Sequence, residues 1–176
     1  MSDVVLLVVD VQTLLVQSHP YHEQAVIRNI KQLIAGCRNK GIEVIYVRHD
    51  GGIGDEMERG TDAWQIYNEI KPENEDKIFE KEYNSAFLHT GLKDYLDSKK
   101  IKAIILVGMQ TEYCIDATCK AALEHGYQVI IPEETNTTFD NEYLSGEQLY
   151  EYYNFKIWNS RFARVLPMQQ LEQELS

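Results

Sequence analysis

The sequence contains only three cysteines among its 176 residues, Cys37, Cys114 and Cys119. Their number is odd, and their spacing fits neither a disulfide framework nor a common metal-ligand pattern. Disulfides persist in oxidising compartments, whereas unpaired thiols are typical of proteins in a reducing one. The cysteines therefore predict free thiols and a cytoplasmic location.

The chain is also poor in positive charge. It has 17 Lys and Arg residues against 28 Asp and Glu residues, a formal net charge of -11 and a pI near 4.9. Nucleic-acid binding requires clustered basic side chains that neutralise phosphates. An acidic surface is likewise repelled by an anionic membrane. We therefore expect neither nucleic acid nor membrane as a partner, and a small-molecule substrate instead.

Long apolar runs are missing as well. The first run comprises the six residues from Val4 to Val9, which is too short for the apolar region of a signal peptide and far short of a membrane span. The sequence contains no internal repeat and no low-complexity tract. A chain of this length suits one domain with a sizeable core. We predict a single domain over residues 1–176.

Short apolar runs alternate with helical patterns along the chain. Apolar residues recur at three- and four-residue steps over residues 22–40, which indicates an amphipathic helix that Gly41 ends. Another helix is predicted from Thr90, as its N-cap, through Lys99. Near-continuous apolar strands between helices predict an α/β fold with a doubly wound, mostly parallel sheet and helices on both faces. The predicted strands are residues 4–9, 42–47, 77–80, 101–107 and 127–131.

Cys114 stands where a strand pattern gives way to a helical one. It follows the apolar run 101–107 and a short turn, and it opens the helical segment 113–124. The first N–H groups of a helix lack intrahelical partners and carry the positive end of the helix dipole, so they lower the pKa of a nearby thiol. This position predicts a nucleophile. The alternative is a buried cysteine that acts only as a small hydrophobic residue.

Two further charged residues end strand patterns. Asp10 follows the first apolar run, and Lys81 follows the short run 77–80. In open α/β sheets, ligands bind beyond the carboxyl ends of the strands, so these residues are expected to meet Cys114 there. Asp10 alone could cap the following helix, but a carboxylate beside apolar residues is costly to bury unpaired, which favours pairing with Lys81.

Three segments match the motifs of one family in order. Residues 7–12 read LVVDVQ, residues 81–87 read KEYNSAF, and residues 107–114 read VGMQTEYC. With these segments the chain resembles the isochorismatase-like cysteine hydrolases, which include nicotinamidases and N-carbamoylsarcosine amidases. The resemblance covers residues 3–138. It implies a doubly wound α/β fold and a catalytic triad of Asp10, Lys81 and Cys114.

The resemblance also implies the remaining parts of the site. A cis peptide bond between Met109 and Gln110 is expected, with the N–H groups of Gln110 and Cys114 forming an oxyanion hole. The long connection over residues 50–76 is expected to cover the site. The implied pocket residues are Leu15, His49, Trp64, Tyr83, Phe87 and Tyr113. Some have simpler interpretations: Leu15 as a core residue, His49 as a loop histidine and Trp64 as a lid anchor.

The sequence departs from the family pattern at the metal site of nicotinamidases. Their Asp-x-His pair is absent from residues 46–52, and no histidine occurs between His49 and His89. Glu133 and Glu134 stand where the family usually has an Asp-Ala pair. The closer resemblance is to the metal-free, amidase-like branch, which implies no metal and no cofactor.

The implied activity is hydrolysis of a small amide or carbamoyl C–N bond through a thioester on Cys114. The implied pocket contains no arginine, which favours a neutral substrate over an anionic one. Vinyl-ether hydrolysis of the isochorismatase type and non-catalytic small-molecule binding are the alternatives. Five aromatic residues in the segment 148–158 indicate packing over the sheet or a subunit interface. A homo-oligomer is expected, with a dimer favoured.

Overall fold

A computed structural model describes residues 3–175. Its sheet has seven strands, and every strand pair in it is parallel. The strands are β1 (Val4–Val9), β2 (Glu43–His49), β3 (Lys77–Lys81), β4 (Ala103–Met109), β5 (Gln128–Pro132), β6 (Asn136–Thr137) and β7 (Arg164–Leu166). The order across the sheet is β3-β2-β1-β4-β5-β7, and the short strand β6 pairs with the end of β4.

Helices cover both faces of this sheet. The helices are α1 (Thr13–Gln17), α2 (Glu23–Asn39), α3 (Leu92–Ser98), α4 (Asp116–Glu124), α5 (Gly146–Glu151), α6 (Met168–Glu174), and two π-helices, Thr111–Ile115 and Tyr152–Trp158. One core cluster contains apolar residues of α1, α2 and α6, and the other contains residues of α3, α4 and the C-terminal π-helix. The predicted doubly wound α/β fold is therefore confirmed.

Strand β1 shows why helices must pack on both faces of the sheet. Successive side chains of a strand point to opposite faces. Val5 and Leu7 belong to one core cluster, while Leu6 and Val8 belong to the other, and all four are at most 1% exposed. A strand that is apolar on both sides can lie only in the interior of such a sheet. This explains the continuous apolar run of β1.

Two predicted helix starts are wrong in detail. Helix α3 begins at Leu92, and its N-cap is Gly91 in the left-handed conformation, with φ 76°. Thr90 precedes that cap and accepts a hydrogen bond from the Leu92 N–H at 3.2 Å. Cys114 does not open an α-helix, because the π-helix Thr111–Ile115 comes first and α4 begins only at Asp116. We call residues Thr111–Ile115 the Cys114 turn.

The long connection between β2 and β3 contains one short 3₁₀ helix, Asn68–Ile70. It returns to the end of β1, where the N–H of Thr13 donates to the Gln65 carbonyl at 2.8 Å. Gln12 and Ile66 form an isolated antiparallel bridge beside this contact. The connection therefore lies over the edge of the sheet where β1 ends.

The aromatic segment near the C-terminus packs over the sheet in part. Trp158 is fully buried and Tyr150 is buried, whereas Tyr152 and Phe155 are half exposed. Trp158 belongs to the core cluster that also contains α4 and lies against Tyr153.

Within residues 3–175, no helix has the length and apolar character needed to cross a membrane.

Candidate active site

Three strand ends bring Asp10, Lys81 and Cys114 together. Asp10 directly follows β1, Lys81 is the last residue of β3, and Cys114 lies in the turn after β4. The Lys81 Nζ is 2.6 Å from Asp10 Oδ2 and 3.3 Å from the Cys114 Sγ. One ammonium group therefore contacts both a carboxylate and a thiol.

The Asp10–Lys81 ion pair is buried. Asp10 is 1% exposed and Lys81 is 2% exposed. Neither Asp10 oxygen has a well-aligned hydrogen-bond donor among the described residues, so the 2.6 Å contact with Lys81 is the main compensation for burying its charge. Removing one partner of such a pair leaves an isolated charge in the interior. The pair therefore links the stability of the fold to the integrity of the site.

Burial sets the protonation of this group of residues. It raises the pKa of Asp10, and the charge of Lys81 opposes this increase only in part. Burial and the negative charge of Asp10 raise the pKa of the Cys114 thiol to about 12, although Lys81 acts in the opposite direction. The prediction of a depressed thiol pKa is therefore wrong. A thiol with this pKa is protonated at neutral pH.

The other two cysteines belong to the core. Cys37 and Cys119 are both at most 1% exposed. Burial raises the pKa of Cys37 to about 11 and that of Cys119 to about 12. The pKa is raised for all three thiols, so it does not distinguish Cys114 from the other two. Cys114 differs from them in being partly exposed and in having Lys81 and Asp10 beside it.

The backbone at the start of the Cys114 turn has the geometry that the resemblance implies. The peptide bond between Met109 and Gln110 is cis. The carbonyl of Gln110 accepts hydrogen bonds from the N–H groups of Tyr113 and Ile115, at 3.2 and 3.1 Å. No backbone hydrogen bond found within residues 3–175 has the Gln110 N–H as its donor. This N–H is therefore available to an acceptor outside the backbone.

His49 lies beside Lys81. Its Nδ1 is 3.3 Å from the Lys81 Nζ. Burial, together with the charge of Lys81, lowers the pKa of His49. A neutral imidazole accepts a hydrogen bond through its unprotonated nitrogen, so His49 is suited to receive an N–H of the lysine.

Gln12 and Asn84 also belong to this region, although the sequence pattern assigned them no role. The side chain of Gln12 exchanges two 2.9 Å hydrogen bonds with the backbone of His49 and donates to the Trp64 carbonyl at 2.8 Å. Gln12 thus joins β1, β2 and the long connection. Asn84 Oδ1 is 3.8 Å from the Cys114 Sγ. Both residues lie in the segments that match the family motifs, and this match is the signal by which sequence reasoning could have found them.

A cavity of about 310 Å³ lies beside Lys81. Of the six predicted pocket residues, only Tyr83 lines it. Arg59 also lines it, so the expectation of a pocket without arginine is wrong for this cavity. Its lining carries charges of both signs, which removes the basis for preferring a neutral substrate. The lining residues are Asp50, Arg59, Glu80, Lys81, Glu82, Tyr83, Leu88 and His89.

Two predicted pocket residues pack elsewhere. Phe87 belongs to the core, where its ring stacks on Tyr127 and meets His125 edge-on. The ring of Trp64 lies 3.3 Å from the Arg48 guanidinium. Trp64 therefore packs on the side chain of Arg48 and is not among the residues that line the cavity.

The remaining two predicted pocket residues, Leu15 and Tyr113, do not line this cavity. Leu15 packs against the core beneath α2, in agreement with its simpler interpretation. Tyr113, next to Cys114, is half exposed.

For metal binding, residues 3–175 contain no group of three or more His, Cys, Asp or Glu side chains placed to hold an ion.

Comparison with known proteins shows the family of this chain. The isochorismatase domain model matches residues 4–168. The chain belongs to the isochorismatase family. A crystal structure of an isochorismatase family protein superposes with a TM-score of 0.87 at 29% identity, covering 94% of this chain and 99% of that chain.

Two curated relatives in the family carry names of defined hydrolases. Streptothricin hydrolase from Streptomyces noursei is 31% identical over 137 residues, which are 77% of this chain and 50% of that protein. Nicotinamidase 3 from Arabidopsis thaliana is 28% identical over 131 residues, which are 66% of each chain. The chain thus spans about half the length of streptothricin hydrolase.

Proposed function

We propose that this protein hydrolyses a small amide or carbamoyl compound through a thioester on Cys114. The observation that carries the proposal is the position of Lys81, whose Nζ is 2.6 Å from Asp10 and 3.3 Å from the Cys114 sulfur. A nucleophile, a base and a cation in mutual contact are the parts that acyl transfer needs. The hydrolase names of the relatives support the same reaction class.

A proton transfer within the triad explains how a thiol with a raised pKa can react. Loss of the Cys114 proton to water would leave two negative charges beside one ammonium group, which burial opposes. Transfer of that proton to Asp10 instead keeps one negative and one positive charge in the site. Because burial raises the pKa of Asp10, its carboxylate is a better proton acceptor than an ordinary aspartate. Lys81 then stabilises the thiolate.

The thiolate attacks the carbonyl carbon of the amide. The N–H groups of Gln110 and Cys114 are proposed to bind the oxyanion, where one such donor is typically worth about 3 kcal/mol. Protonated Asp10 gives its proton to the leaving nitrogen as the C–N bond breaks. Asp10 then removes a proton from water, which hydrolyses the thioester and releases the acid. His49, which contacts Lys81, is proposed to hold the ammonium in place.

The reaction should fail at acid pH because the base becomes protonated. Burial raises the pKa of Asp10 above its ordinary value of 3.8, and a carboxylate acts as a base only above its pKa. We expect kcat/KM to fall as pH decreases, with an acid midpoint above 3.8. The measurement is a pH profile on protein that circular dichroism shows to be folded. An acid midpoint at or below the ordinary value would contradict the role of Asp10.

A hydrolysis screen tests the reaction class. Primary amides and carbamoyl compounds that are neutral, cationic or anionic would be offered, and ammonia release would be measured. We expect ammonia from at least one class with wild-type protein and none above background with Cys114→Ala. Isochorismate in the same screen tests the vinyl-ether alternative through pyruvate release. Pyruvate release without hydrolysis of any amide would contradict the proposal.

The setting of the reaction is also proposed. We infer a metal-free enzyme that acts in the cytoplasm as a homo-oligomer. The three cysteines, none of which is in a disulfide, support a reducing compartment. The half-exposed Tyr152 and Phe155 support an interface, since aromatic residues are enriched where subunits meet.

A further inference from the structure

The C-terminal π-helix Tyr152–Trp158 is connected by hydrogen bonds to residues on both sides of Cys114. On one side, the Thr111 hydroxyl donates to Asn136 Oδ1 at 2.8 Å, and the amide of Asn136 donates to Asn154 Oδ1 at 2.9 Å. On the other side, the indole N–H of Trp158 donates to Asp116 Oδ1 at 2.9 Å. The steps proposed above use none of these contacts.

These contacts have a defined geometry because they are buried. Thr111, Asn136, Asn154 and Trp158 are all 0% exposed. The two asparagine amides bond reciprocally, since Asn154 Nδ2 also donates to Asn136 Oδ1 at 3.1 Å. Asn154 donates a further hydrogen bond to the Tyr150 carbonyl at 2.8 Å, which fixes it to α5. Buried polar groups that satisfy one another hold a single arrangement, because any other arrangement leaves a donor or acceptor unpaired.

The connections flank the reactive residue. Thr111 is three residues before Cys114, and Asp116 is two residues after it. A π-helix of five residues has few hydrogen bonds of its own, and short turns of this kind occur at functional sites. Contacts from outside the turn are therefore well placed to decide where the Cys114 sulfur lies relative to Lys81 and Asp10.

We infer that Thr111, Asn136, Asn154 and Trp158 are positioning residues for the nucleophile. They connect the C-terminal π-helix to the Cys114 turn and thereby fix the sulfur within reach of Lys81. This inference rests on the proposed role of Cys114. It also gives part of the aromatic segment 148–158 a function beyond core packing.

Thr111→Val tests the inference because it removes one donor and keeps the shape of the side chain. The acceptor Asn136 Oδ1 keeps its bond from Asn154, so no buried group loses its last partner. Thr135→Val is the matched control. Thr135 is also fully buried, and its hydroxyl donates to the Pro132 carbonyl at 2.6 Å rather than to the Cys114 turn. Its carbonyl accepts from the Gly108 N–H at 2.9 Å, and the substitution keeps that backbone bond. Thr111→Ser keeps the hydroxyl and should rescue the loss.

Two rates are measured for each variant. One is kcat and KM for an amide found in the screen, and the other is the second-order rate of Cys114 alkylation by iodoacetamide across pH. Thr111→Val should lower kcat and the alkylation rate by about tenfold or more, with KM changed by less than about threefold. Thr111→Ser and Thr135→Val should stay near wild type in both rates, even where Thr135→Val lowers the melting temperature as much as Thr111→Val.

Wild-type rates in Thr111→Val, or an equal loss in Thr135→Val, would overturn the inference. Should Thr111→Val fail to fold, Trp158→Phe removes the other connection and is tested against the same control and by the same criteria. The alkylation rate needs no substrate, so it decides the inference even if no amide is hydrolysed. Absence of amide hydrolysis would instead count against the proposed function.

Discussion

Cys114→Ala and Asp10→Asn are each expected to lower kcat by roughly 10⁴-fold or more. The sulfur is the proposed nucleophile, and the carboxylate is its proposed base. Neither can act without the other, because the thiol with a pKa of about 12 is not ionised at neutral pH unless Asp10 takes its proton. The double variant should therefore be less than about tenfold slower than the slower single variant.

Cys119→Ala is the matched control for this experiment. Cys119 follows Cys114 by five residues, is fully buried, and burial raises its pKa to about 12 as well. Its replacement should lower stability through a small cavity and leave kcat close to wild type. Multiplicative losses in the double variant, or strong turnover by Cys114→Ala, would show that the two residues do not act as one unit.

Lys81→Met is expected to cost about 3–5 kcal/mol of stability and nearly all activity. The substitution leaves the Asp10 carboxylate buried without its 2.6 Å partner. Asp10→Asn/Lys81→Met removes both charges and should recover most of the lost stability, but not the activity. The measurement is the free energy of unfolding in urea for the wild type, both single variants and the double variant.

The pH dependence of this loss follows from the pKa of Asp10, which burial raises and which Lys81 no longer lowers in the variant. Burial of the ionised form destabilises the fold above that pKa, and protonation relieves the destabilisation below it. Stability of Lys81→Met relative to wild type should therefore improve as pH falls. Lys93→Met, which breaks an exposed ion pair with Asp97, is the control and should cost less than about 1 kcal/mol. A double variant no more stable than Lys81→Met would contradict the account of the pair.

The sheet and the proximity of Asp10, Lys81 and Cys114 were predictable because both depend on patterns within a few residues. Strands β1, β2, β4 and β5 are nearly continuous apolar runs, and parallel strands end at one edge of the sheet. Charged residues that follow such runs, as Asp10 does, consequently meet there. Strands β6 and β7 have two and three residues, which is too short for any periodicity to indicate them.

The thiol pKa and the pocket were not predictable in this way. The position of Cys114 after a strand indicated helix N–H groups, but not how far burial and Asp10 raise its pKa. The long connection is held by side-chain contacts of Gln12 with the backbone of His49 and Trp64, and such contacts leave no spacing signal. Phe87 shares its motif with Lys81, yet its ring packs into the core.

Intact-mass spectrometry of acid-quenched enzyme during turnover of a hydrolysed amide tests the thioester most directly. The account predicts a mass increase equal to the acyl part of that amide, located by peptide mapping on Cys114 and absent from Cys114→Ala. Sustained turnover with an adduct on another residue, or ammonia release at the wild-type rate by Cys114→Ala, would contradict it.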